Sequence, residues 1–112
     1  MKRVLLITSS NDQYHAALEK AGYVVIPVRV GKEYDVAVSA LPPPNGVDYC
    51  IVELPAVPAE AESLMDSLVV RGRVIALARE FSSGVKSFLL RAGVADLLYG
   101  DRVRYCAAYL RA

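Results

Sequence analysis

The sequence has 112 residues, a one-domain length, since single hydrophobic cores run from about 50 to 250 residues. Hydrophobic residues make up 54% of it, which excludes a disordered chain, and the formal net charge of +1 gives no broad field to attract nucleic acid or an anionic membrane surface. No apolar run approaches the roughly 18 residues of a membrane span. The expectation is therefore one domain over residues 1–112, in the cytoplasm, with no nucleic-acid or membrane partner.

The N-terminus reads MKRVLLITSSNDQ. Its apolar stretch is about five residues, shorter than the roughly 7–15 of a signal peptide, and reads as a first strand from Arg3 to Ile7. Next, Tyr14, Ala17, Leu18 and Ala21 fall at i, i+3, i+4 and i+7, the pattern of a helix with one buried face. Asn11 or Asp12 can cap it and Gly22 stands where a C′ glycine belongs. His15 lies on this helix without partners for a metal site or a catalytic relay, and reads as a helix-surface residue. YVVIPV (Tyr23 to Val28) is the second strand. Tyr34, Ala37, Val38 and Leu41 repeat the helical spacing until Pro42, Pro43 and Pro44 stop it. The turn-rich LPPPNG (Leu41 to Gly46) reads as an insertion between helix and strand, not a domain linker.

DYCIVEL (Asp48 to Leu54) is the third strand. A third helix runs from about Pro58 to Arg71, with Glu60 and Glu62 in its first turn and Arg71 in its last, both suited to the helix dipole. RVIALA (Arg73 to Ala78) is the fourth strand. In the fourth helix Ser82 or Ser83 can cap, Val85, Phe88, Leu89 and Ala92 face inward, and Gly93 closes. ADLLY (Ala95 to Tyr99) is the fifth strand, and Asp101 caps a last helix whose buried stripe is Val103, Cys106, Ala107 and Leu110. Cys50 and Cys106 lie far apart in apolar settings, without the spacing of a zinc site or a disulfide framework, and read as reduced packing residues.

Several of the strands are nearly continuous apolar runs, which is how strands read when helices cover both faces of a sheet. Five strand–helix units in a row predict a parallel sheet, and an open one, because a closed barrel needs roughly 250 residues. In such a sheet ligands bind beyond the carboxyl ends of the strands, where strand order reverses. Candidate positions are thus Thr8, Ser9 and Ser10 after strand 1, Glu53 after strand 3, Ala78, Arg79 and Glu80 after strand 4, and Tyr99 and Gly100 after strand 5. Neither GxGxxG nor GxxxxGK[ST] occurs, so a dinucleotide or P-loop site is not expected. Ser9 and Ser10 could meet an anion at a helix N-terminus, or simply form a hydroxyl-rich capping turn. Glu53 follows buried positions and must be solvated, paired or protonated. Arg79 could pair with it, and without a second carboxylate nearby a magnesium site has little support.

At this point the chain resembles the receiver domains of bacterial response regulators, over essentially its whole length. RVLLITSSN is similar to the first receiver strand and its acidic turn, VDYCIVELP to the segment that holds the phosphoacceptor (with Asp48 and Glu53 at its Asp-x-x-x-x-Asp spacing), and RVIALA to the fourth strand. AGVADLLYGD (Ala92 to Asp101) resembles the AGADDYLxKP signature in register over ten residues. The resemblance implies a flavodoxin-like three-layer α/β/α sandwich with a five-stranded parallel sheet in the order 2-1-3-4-5. The first helix is about three residues shorter than receivers show.

Carried over position by position, the resemblance places Thr8 and Ser9 at the acidic pair, Glu53 at the phosphoacceptor and Ala78 at the hydroxyl residue after strand 4. It places Gly100 at the lysine after strand 5 and Leu97 at the aromatic switch. Phosphoryl transfer depends on a metal and on cations neutralising the moving oxygens, and losing one such electrostatic donor costs about 2.7–4 kcal/mol. A pocket of Thr8, Ser9, Glu53, Ala78, Arg79 and Gly100 is therefore expected to hold no metal or cofactor and to be no enzyme. No nucleophile–base pair can be assembled elsewhere. What the resemblance leaves is a partner-contact face on the fourth helix, fifth strand and last helix, here Lys86, Arg91, Leu97, Tyr99, Arg102, Arg104, Tyr105, Tyr109 and Arg111. Tyr and Arg are the types enriched in interface hot spots, although the same residues could be core-edge aromatics with solvated arginines. The expected function is phosphorylation-independent signalling through a protein partner or a second copy. The alternative is a small-molecule or nucleotide sensor that uses the same strand-end crevice.

Overall fold

The computed structural model describes residues 2–8, 12–29, 41, 46–54, 62–78, 83–94 and 96–99. Within them lie β1 (Arg3–Thr8), α1 (Asp12–Lys20), β2 (Val24–Arg29), β3 (Tyr49–Glu53), α2 (Glu62–Val69), β4 (Arg73–Ala78), α3 (Ser83–Ala92) and β5 (Asp96–Tyr99). Each of the five apolar runs becomes a strand within a residue or two of its expected bounds. The second and last expected helices fall outside the described residues, as does Cys106.

All strand pairings are parallel, in the order β2-β1-β3-β4-β5. Alternation along the strands then sorts side chains into two cores. Leu5, Ile7, Cys50, Val52, Val74 and Ala76 pack on one face against Leu64, Met65 and Leu68 of α2 and Val85, Phe88 and Leu89 of α3. Val4, Leu6, Ile51, Ile75, Leu77 and Leu98 face the other way, with Tyr14 and Leu18 of α1. β1 and β4 are buried at every position but their first. The expected three-layer α/β/α sandwich is thus the observed one.

The helix ends follow the sequence signals. Gly22 and Gly93 have φ of +96° and +78°. After α1, Gly22 N–H donates to the Glu19 carbonyl (3.0 Å) and Tyr23 N–H to that of Leu18 (3.1 Å). After α3, Gly93 N–H donates to Leu90 (3.3 Å) and Val94 N–H to Leu89 (2.9 Å). Both are Schellman closures, in which a left-handed residue lets the last orphan carbonyls be satisfied. Arg71 differs from expectation: α2 ends at Val69, and Arg71 lies past it, its Nη1 donating back to the Ser67 carbonyl. The favourable contact with the helix C-terminus survives, made from outside the helix.

A polar seam closes the amino edge of the sheet. Asp48 N–H donates to the Arg3 carbonyl (2.9 Å), and the Asp48 carboxylate accepts from Arg3 N–H (2.8 Å). Arg73 N–H donates to the Asp48 carbonyl (3.3 Å), and the Arg73 guanidinium forks onto Asp96 at 2.8 and 2.9 Å. A Cβ on Gly72 would stand 2.7 Å from the Asp48 carbonyl oxygen, so only glycine permits this approach. Gly72→Ala is expected to cost roughly 1–3 kcal/mol in denaturant unfolding, because the obstruction is backbone and cannot swing away.

Cys50 is fully buried, with its Sγ 3.9 Å from the Leu68 carbonyl, and burial pushes its thiol from an ordinary 9.0 up to about 11. Thiolate being the reactive form, Cys50 should resist alkylation at pH 8 in the folded protein and react once it unfolds, read by mass spectrometry at that residue. Because the unfolded thiol ionises first, the stability contributed by the buried neutral form is present below pH 9 and declines as pH rises towards 11.

Candidate functional site at the carboxyl edge

Strand order reverses at β1, which is flanked by β2 on one side and β3 on the other, so the crevice expected for ligands lies between the carboxyl ends of β1 and β3. Ile7 and Val52 are register partners, and Thr8 and Glu53 each stand one position further on. The two therefore lie side by side on neighbouring strands, which run about 4.8 Å apart. Alternation also gives them the same face. Thr8 follows Leu6 by two residues and Glu53 follows Ile51 by two, and both leaders belong to the core under α1.

Their environments differ. Thr8 is the one buried polar side chain among the described residues, with no exposed surface, and its Oγ1 has no hydrogen-bond partner there. Glu53 is half-buried, and it does not stand without interactions. Leu54 N–H donates to the Leu77 carbonyl at 2.8 Å, which fixes the chain just beyond Glu53 against β4. Ala78 ends β4 buried, but it packs in the opposite core, with α2 and α3. Its register partner is Tyr99, the last residue of β5. The structure thus brings Thr8 and Glu53 together and turns Ala78 away from them.

Ser9, Ser10, Arg79, Glu80 and Gly100 lie outside the described residues, as do Arg102, Arg104, Tyr105, Tyr109, Arg111 and the side chain of Tyr99. Asp48 is not part of this edge. It stands at the opposite end of β3 from Glu53, engaged in the amino-edge seam. Among the described residues, no three His, Cys, Asp or Glu side chains gather as metal ligands, and no helix is long and apolar enough to cross a membrane. His15 is a half-buried residue on α1 that contacts Glu19 one turn away.

On α3, Lys86 and Arg91 are both exposed, on the side away from Val85, Phe88 and Leu89. Leu90 joins them, 69% exposed and one helical turn from Lys86. The sequence reading passed over Leu90, although it is the large apolar residue of that helix left out of the inward stripe. Leu97 is half-buried at the margin of the core beneath α2 and α3.

No family model and no curated protein matches the sequence. Solved structures do match. The signal receiver domain of a modulated diguanylate cyclase from Desulfovibrio desulfuricans superposes with a TM-score of 0.76 at 14% identity, covering 98% of this chain and 89% of that one. Chemotaxis protein CheY4 of Vibrio cholerae gives 0.72 at 18% identity, covering 99% and 98%. A CheY-like protein (tadZ) of Pseudomonas aeruginosa gives 0.71 at 18%, with the same coverage. The fold is that of a receiver domain. Identities this low carry the fold and leave the chemistry of the receiver edge to this chain's own residues.

A buried hydroxyl without a partner costs about 1–3 kcal/mol. Thr8→Val keeps the shape and removes that group, so it is expected to raise unfolding free energy by roughly 1 kcal/mol. A fall in stability instead, measured by urea titration, would mean that the hydroxyl is satisfied in solution.

Proposed function

We propose that this chain is a receiver-like signalling domain that works in the cytoplasm without phosphorylation, by binding another protein. The observation that carries the reading is Thr8: a fully buried, uncharged hydroxyl at the end of β1, where the receiver resemblance has an acidic residue. A neutral residue at zero exposure cannot supply the charge that holds a divalent cation, and without the cation the negative oxygens of a transferring phosphoryl group go unneutralised. Glu53, beside it, would be a poor acceptor on its own. A glutamate side chain carries fewer oxygens and less charge than an acyl phosphate, so it is at most a partial mimic of one.

Binding then falls to the surface that follows the fourth strand. Lys86, Leu90 and Arg91 give α3 an exposed face of mixed apolar and basic character, continuous in sequence with β5 and with the Tyr- and Arg-bearing segment 102–111. An exposed apolar side chain flanked by two basic ones suits a contact patch, whose apolar centre is bordered by polar groups. The partner is a signalling or output protein, or a second copy of this chain.

A second reading rests on the same hydroxyl. A buried Oγ1 with no partner among the described residues is a group that a bound small molecule could satisfy, as a sensor at the strand-end crevice would require. A thermal-shift screen with nucleotides and phosphorylated metabolites separates the two, a specific rise in melting temperature favouring the sensor.

The leading reading predicts no acyl phosphate after incubation with acetyl phosphate or phosphoramidate, with or without magnesium. An acid-stable, base-labile adduct at Glu53 would overturn it. It also predicts that Leu90→Glu combined with Lys86→Glu weakens partner capture tenfold or more while stability moves by no more than about 0.5 kcal/mol, as expected at exposed positions.

A further inference from the structure

We draw no further inference here: the strongest candidate, the shallow groove of about 190 Å³ at the amino edge of the sheet, walled by Val69, Val74 and Val94 over the Arg73–Asp96 ion pair with exposed Val70 and Leu90 nearby, carries nothing because nothing in the structure shows what covers it.

Discussion

A parallel strand can be buried on both faces only if its backbone groups are satisfied sideways, by strands on either side, and only if its side chains are apolar in both directions. β1, β3 and β4 meet both conditions. Each has two strand neighbours, and their side chains alternate between the core under α1 and the core under α2 and α3. Polar chemistry has no room within such strands and is displaced to their ends. That displacement is why Thr8 and Glu53, the last residues of β1 and β3, are the first positions on those strands after their apolar runs where a polar side chain appears.

The two ends of the sheet use this freedom differently. At the amino edge the polar groups satisfy one another. Arg3, Asp48, Arg73 and Asp96 link β1, β3, β4 and β5 through main-chain and side-chain hydrogen bonds, and Lys2 adds a contact to the Tyr49 hydroxyl and ring. The Arg73 side chain is 46% exposed, so its ion pair with Asp96 is a surface one, worth at most about 1 kcal/mol. The main-chain bonds and the tight passage of Gly72 over Asp48 constrain strand register more than the charges do. At the carboxyl edge the corresponding pairing is incomplete among the described residues, and Thr8 is the visible sign of it.

The fold was legible because its signals are local and redundant. Apolar runs of the right length, glycines at Gly22 and Gly93 with positive φ, and the inward stripe of Val85, Phe88 and Leu89 each point to one element, and the elements agree. The site was legible only in part. Sequence order gave the positions of Thr8 and Glu53 but not that alternation would turn Ala78 to the other face, since that depends on register between strands far apart in the chain. Asp48 shows the same limit. Its spacing from Glu53 does not say where it lies, and a five-residue strand carries the two to opposite edges of the sheet. Arg71 reached its expected helix end from beyond the last turn, a distinction that the spacing of charges cannot make.

The neutrality of Thr8 also bears on stability. Carboxylates crowded at one sheet edge repel one another and are costly to bury, and a bound cation relieves both penalties. A receiver edge built on an acidic cluster is thereby tied to an ion. With a hydroxyl at the end of β1, that cost at this position is of the order of an unsatisfied polar group and not of a buried charge. On the proposed reading the edge gains independence from a divalent cation and gives up the means to hold a phosphoryl group. The exposed face of α3 lies on the layer opposite Thr8 and Glu53, across the sheet, so a partner bound there need not touch the edge that carries them.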